Sequence, residues 1–159
     1  MPPLVLQSLF YQTLMKLLVQ RVTAASVRIN GELVSEIGSG YLVLIGVAVT
    51  DARTQADYLA DKLLNLRILA DDAGKMNRSI TDTKGELLVV SQFTLYGDTR
   101  NGRRPGFAAA APPQLAQELY EYFVTRLRDS GLAVKTGIFQ ADMQVALVND
   151  GPVTFLLES

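Results

Sequence analysis

Two runs of the chain are apolar without alternation: Tyr41 to Val49 (YLVLIGVAV), and the first half of Glu86 to Thr94 (ELLVVSQFT). A strand with one face in water alternates apolar and polar side chains, so an unbroken apolar run needs cover on both faces. Both segments are therefore predicted as central strands, and the fold must place a layer on each side of them. Between them, Ala56, Leu59, Ala60, Leu63, Leu64 and Leu66 recur at three- and four-residue spacing, the stripe of a helix with Thr50 or Asp51 as its predicted N-cap. A second helix is predicted from Pro112-Pro113, with Leu115, Leu119, Tyr122, Phe123 and Leu127 on its apolar face and Gly131 as its C-cap.

The flanking segments read as shorter strands. KLLVQRV and SVRI precede Asn30-Gly31 and ELVSEI, and Asn-Gly accepts the positive φ angles of a type I′ turn, so residues 26–37 form a predicted hairpin. Gly38-Ser39-Gly40 breaks the chain, and Asp71-Asp72-Ala73-Gly74 reads as a turn. Further strands are expected around Val134 to Thr136, from Gln144 to Asn149 and from Val153 to Leu157, the last two parted by Asp150-Gly151-Pro152. This order lacks the regular alternation of a doubly wound fold. The expected class is α+β, with curled, barrel-like sheets and two flanking helices. A length of 159 residues without repeat or linker is that of one domain.

Composition narrows the chemistry. With 48% hydrophobic and 19% charged residues the chain folds, and a formal charge of −1 gives it no overall cationic field for nucleic acid. It contains no His and no Cys, which excludes a Ser-His-Asp triad, a thiolate nucleophile, a zinc finger and a disulfide. An enzyme built from this inventory works with carboxylates, hydroxyls, Lys, Tyr, backbone N–H groups or the substrate's own functional groups. Residues 1–14 are uncharged and partly apolar but lack the leading cations of a secretory signal. They read either as a leader ahead of a start at Met15 or as an amphipathic segment that packs on a partner. No run approaches the roughly 20 apolar residues of a transmembrane helix, so a soluble chain is expected.

Two places carry polar groups where strand logic prefers apolar ones, and a third segment is basic. Ser91-Gln92-Phe93-Thr94 ends a buried run, and alternation would put Gln92 and Thr94 on one face, Ser91 and Phe93 on the other. Buried polar groups need partners, and the partner is either loop backbone or a bound substrate. Asn149-Asp150-Gly151-Pro152-Val153-Thr154 places a proline between two strand runs, hence a bend or an edge. Between Lys75 and Arg104, six cations (Lys75, Arg78, Lys84, Arg100, Arg103, Arg104) face three carboxylates (Asp82, Glu86, Asp98). That segment suits the phosphates of a nucleic acid end or a solvated loop.

SQFTLYGDTRNGRRP (91–105), LVNDGPVTF (147–155) and MKLLVQRV (15–22) closely resemble the D-aminoacyl-tRNA deacylases of the D-tyrosyl-tRNA deacylase type. NLRI, GKMN, ELYEYF and ADMQVALVND extend the likeness from Met15 to the end, as one domain over 15–159 with residues 1–14 outside it. Departures are Gly106, where relatives usually have Ser, and Arg78, where they have an apolar residue. The resemblance implies a cytoplasmic homodimer with two active sites at the subunit interface, and hydrolysis of the ester joining a D-amino acid to the terminal adenosine of tRNA. No cofactor or metal is implied. Ser91 and the backbone around Gln92 and Phe93 would form the carbonyl-binding side. Thr94 would position rather than attack, because no nearby base activates its hydroxyl. Gly151-Pro152 would be a cis pair that reaches into the partner's site and excludes an L side chain, with glycyl-tRNA a tolerated second substrate. Arg21 would lock that pair from behind, or be an ordinary strand arginine. Arg100, Arg103 and Arg104 would meet the tRNA. The reading of a different class is a non-catalytic dimeric module that binds RNA or an amino acid.

Overall fold

A computed structural model describes residues 14–159. Both readings of residues 1–14 therefore fall outside the described residues, Leu14 excepted. Strand β1 (Lys16–Ile29) turns through Asn30 (φ 51°) and Gly31 (φ 80°) into β2 (Glu32–Ile37), and β3 (Gly40–Gly46) returns along β1. The two positive φ values are those the Asn-Gly turn requires. Helix α1 (Arg53–Asn65), a small hairpin of β4 (Leu69–Ala70) and β5 (Met76–Arg78), and the one-turn helix α2 (Ile80–Thr83) lead to β6 (Glu86–Ser91). Next come a 3-10 turn (Phe93–Tyr96), helix α3 (Pro113–Arg128), β7 (Val134–Thr136) and β8 (Gln144–Glu158).

The sheet runs β2-β1-β3-β6-β7, with β8 paired along the other side of β1. β3 and β6 are parallel, as are β6 and β7, and the connection from β3 to β6 carries α1 across one face of the sheet. The two apolar runs are buried on both faces for this reason. Tyr41, Val43, Ile45, Leu87 and Val89 pack toward Leu59 and Leu63 of α1 and Leu119, Phe123 and Leu127 of α3. Leu42, Leu88 and Val90 point the other way into a second cluster with Val22, Val27 and Ile37, which Val145 and Leu147 of β8 help to close. The sheet thus curls around its second cluster, an α+β barrel-like fold as expected, with a third, one-turn helix added to the two predicted.

Several local expectations are corrected. The strand predicted to run to Thr94 stops at Ser91 and gives way to the 3-10 turn, because β3, its neighbour, ends at Gly46 and offers no further ladder. The facing of Gln92 with Thr94 therefore does not arise from strand alternation. Ala52, not Thr50 or Asp51, caps α1: the Gln55 side chain bonds its N–H, while Asp51 turns inward to Ala48. Asp129 caps α3, and Gly131 (φ 85°) lies beyond it. The two strands predicted around Asp150-Gly151-Pro152 form one, β8, whose register against β1 shifts between Gln20 and Ala24 so that the proline is absorbed without ending the strand.

Candidate active site

The polar end of β6 opens on a cleft of about 900 Å³, lined by Ser91, Gln92 and Phe93 on one wall, Phe107, Ala110 and Ala111 on another, and Phe139, Asp142, Met143 and Val145 on a third. That volume lies within the range of small-ligand sites. Local geometry makes the first wall. Gln92 N–H donates to the Ile45 carbonyl at 2.8 Å, the last backbone bond that ties this segment to β3. The turn then begins, and its first bond runs from Leu95 N–H to the Gln92 carbonyl, so the amides of Phe93 and Thr94 precede it and are not consumed within the turn. The Gln92 side-chain amide donates to Oγ1 of Thr94. Phe93 is 55% exposed, and its ring meets that of Phe107 edge-on at 5.0 Å between centroids.

Of the predicted residues, Ser91, Gln92 and Phe93 line the cleft, whereas Thr94 sits one step behind it, bonded to Gln92. Gly151 and Pro152 do not line it. They are exposed on β8, and Gly151 is six positions from the cleft residue Val145, roughly 20 Å of extended strand at ~3.3 Å per residue. The peptide bond between Gly151 and Pro152 is cis. Two groups bracket this segment. Across it, Nδ2 of Asn149 donates to the Val153 carbonyl at 3.0 Å while Val153 N–H donates to Oδ1 of Asn149 at 2.8 Å. Behind it, Nε of Arg21 donates to the Asp150 carbonyl at 2.8 Å and Nη1 to the Ile68 carbonyl at 2.9 Å. A Cβ added at Gly151 would lie 2.4 Å from the Val153 nitrogen, so the position admits only glycine as it stands.

Tyr41 lies opposite Arg21 across β1 and β3, fully buried, with its hydroxyl unpartnered among the described residues. Burial pushes its phenol well above the usual range, and the nearby Arg21 cation offsets only part of that.

The three arginines of the loop after the 3-10 turn do not share one setting. Asp98 takes Arg100 through both carboxylate oxygens, at 2.9 and 2.8 Å, and that donor set holds the Asp98 carboxyl at about 2. Asp98 and Gly106 exchange backbone bonds at 2.7 and 2.9 Å, closing the loop at its base. A Cβ at Gly106 would meet nothing within 4 Å, so the space there does not require glycine. Arg103 and Arg104 are exposed and form no ion pair among the described residues.

Sequence reasoning missed Phe107, Phe139, Asp142 and Met143 as cleft residues, and Asn149 as the bracket. Gln140 in the 139–143 wall holds φ 65° as a non-glycine, a conformation that its residue type does not announce. Among the described residues no helix is long and apolar enough to cross a membrane.

Comparison with known proteins identifies the family. A family model described as D-Tyr-tRNA(Tyr) deacylase matches residues 18–158. The chain is 57% identical to a D-aminoacyl-tRNA deacylase of Desulfitobacterium hafniense, over 91% of this chain and 97% of that one. It is likewise 57% identical to one of Geotalea uraniireducens, over 91% and 94%. A solved structure of a c-Myc DNA unwinding element binding protein superposes with a TM-score of 0.85 at 43% identity, covering 91% of this chain and 98% of that one. A probable eukaryotic D-amino acid tRNA deacylase shares the fold, with a TM-score of 0.79 at 17% identity over 92% and 100%. From the polar end of β6 to the bracketed Gly151-Pro152 bend and over nearly its whole length, this chain belongs to the D-aminoacyl-tRNA deacylase family, hydrolases that act on ester bonds.

Proposed function

We propose that this protein hydrolyses the ester of D-aminoacyl-tRNA, releasing tRNA and the D-amino acid, and rejects L-aminoacyl esters by exclusion. The observation that carries the reading is the cleft at the end of β6, where the Phe93 and Thr94 amides are left over by the 3-10 turn. An aminoacyl ester is already activated, so fixed N–H donors aimed at the developing oxyanion, together with a positioned water, suffice for its hydrolysis. The chain has no His or Cys to act as base or nucleophile. The ribose 2′-hydroxyl beside the ester is then the nearest group to assist, and Ser91, Gln92 and Phe93 hold the carbonyl side.

Chirality is assigned to Gly151-Pro152. In one protomer this wedge is roughly 20 Å along β8 from the cleft, so it serves a cleft only if a second copy brings it there. The exposed Val148, Phe155 and Leu156 on the same strand are suited to such a contact. Main-chain carbonyls of the wedge would hold the substrate's ammonium group and leave no space for an L side chain, a selection that needs few contacts to the D residue. Glycine has no side chain to reject, so glycyl-tRNA would be hydrolysed as well. Arg103 and Arg104 would contact phosphates of the acceptor end. A cytoplasmic site of action fits such a substrate.

The test is ester loss from D-tyrosyl-tRNA, L-tyrosyl-tRNA and glycyl-tRNA in chelator, with sedimentation in parallel. Turnover of the D and glycyl esters by a dimer is expected. Binding without turnover replaces the enzyme by a binding module, and turnover by a monomer removes the cross-subunit wedge.

A further inference from the structure

Residues 45–49 are the hinge pin of the cleft. The Ile45 carbonyl receives Gln92 N–H at 2.8 Å, and the Gly46 carbonyl receives the Tyr96 hydroxyl at 2.9 Å; together these hang the first wall. The Val47 carbonyl receives Ala111 N–H at 2.9 Å, and Val49 N–H donates to the Ala109 carbonyl at 3.0 Å; these hang the second. Both walls therefore take their position from one short segment that leaves β3 as irregular backbone. Irregular backbone needs another restraint, and Asp51 is placed to give it. The residue is 8% exposed; its carboxylate accepts Ala48 N–H at 2.6 Å and also faces the Met15 N–H just ahead of β1.

We propose that Asp51 is a positioning residue for the cleft: its carboxylate clamps Ala48 to the start of β1 and thereby keeps the Ser91–Phe93 and Phe107–Ala111 walls in register. It touches no part of the cleft surface and takes no part in the chemistry. Two N–H donors converge on it, which suits an ionised carboxylate; a protonated carboxyl loses acceptor strength on one oxygen and brings an O–H without an acceptor. Burial pushes the Asp51 carboxyl up to about 6, with the two backbone donors pulling it partly back, so the clamp loosens on mild acidification. The charged or titratable groups around it are Tyr96 from the 3-10 turn, Lys16 of β1, whose ammonium lies 5.2 Å from the Tyr96 ring, and Glu158 of β8, which acts on Tyr96. Arg53 at the start of α1 is taken up by the Tyr122 ring at 4.8 Å. The phenol of Tyr96 is itself driven far up by burial and by Asp51.

Two experiments bear on it, and only the second rests on the deacylase reading. In the wild-type protein, carbon and amide NMR follow Asp51 Cγ and the amides of Ala48, Ala109 and Ala111 from pH 8 to pH 4.5. The expected result is that the amides of Ala109 and Ala111, on the far wall, shift with the midpoint of the Asp51 carboxyl. Titration of Asp51 that leaves them unmoved overturns the proposal. In the kinetic arm, Asp51→Asn at pH 8 is expected to lose at least tenfold in kcat/KM on D-tyrosyl-tRNA, mostly in kcat, with cooperative unfolding retained and Asp51→Glu recovering part of the loss. The wild-type advantage over Asp51→Asn should shrink toward pH 5.5. A ratio near one at pH 8, or one constant with pH, overturns the proposal even where the deacylase activity stands.

Discussion

Replacing Arg21 by alanine separates stability from selectivity. The side chain is 16% exposed and makes two charge-assisted bonds, to the carbonyls of Asp150 and Ile68. A hydrogen bond from a charged group contributes about 1.5–3 kcal/mol net. The Asp150 carbonyl reaches water once the guanidinium is gone, whereas the Ile68 carbonyl, on a buried residue, loses its partner. The contact from Nε to the Asp150 carboxylate, at 3.5 Å with that carboxylate half-exposed, adds less than about 1 kcal/mol. The expected loss is about 3 kcal/mol in urea unfolding with an unchanged m-value, or roughly 6–12 °C in Tm for a chain of this size. If Arg21 is what fixes the Gly151-Pro152 wedge, the same variant at 20 °C, still folded, should hydrolyse L-tyrosyl-tRNA measurably while its rate on D-tyrosyl-tRNA stays within about tenfold, or ~1.4 kcal/mol, of wild type. Arg21→Lys, with a single point charge in place of the fork, should fall between the two. A protein that loses the expected stability yet keeps full discrimination would refute the reasoning and leave Arg21 as a strand arginine that serves packing alone.

Thr94→Ala should retain substantial deacylation, because Thr94 stands behind the cleft; complete loss, or an acyl adduct on Thr94 seen by mass spectrometry, would reverse this. Asn149→Ala removes both bonds that span the wedge, and is expected to lower stability by about 1–3 kcal/mol and to relax D-over-L selection, checked by urea titration and paired substrate rates. Substituting Arg103 and Arg104 together by alanine should weaken tRNA binding and reduce the salt slope of log K by about 1.4–1.8, for two phosphate contacts; an unchanged slope removes them from the interface. Stability should also depend on pH through Asp51. Its folded value of about 6 lies above the ordinary carboxylate range near 3.8, so its contribution is fully present below about pH 4 and is lost as pH rises through 6. The loss is about 3 kcal/mol, and it should be absent from Asp51→Asn when urea midpoints are compared between pH 4 and pH 7.5.

The same residue gives up native stability to ionise and, ionised, holds the cleft. That opposition is expected where a buried charge is kept for geometry rather than for folding, and it makes Asp51 legible only in three dimensions. In the sequence it reads as a helix cap. The residue type and position are right for a cap, and nothing local reveals that Ala48 and Met15 deliver two N–H groups to it instead.

Much of the rest was readable because its cause is local. The type I′ turn follows from Asn30-Gly31, the two central strands from runs with no alternation, and the two helices from their spacing and the proline start of α3. The motifs around Ser91–Thr94 and Asn149–Thr154 were sufficient to place the chain in its family. What the sequence did not decide is where elements stop and which distant segments meet. β6 ends at Ser91 because its parallel neighbour ends, and β8 continues past Pro152 because β1 supplies a partner on both sides of it. The cleft draws its walls from segments around 91, 110 and 141, brought together by a curled sheet. Periodicity and turn chemistry act over a few residues and are written in the chain, whereas hydrogen-bond partners across the sheet exist only once the whole sheet has closed.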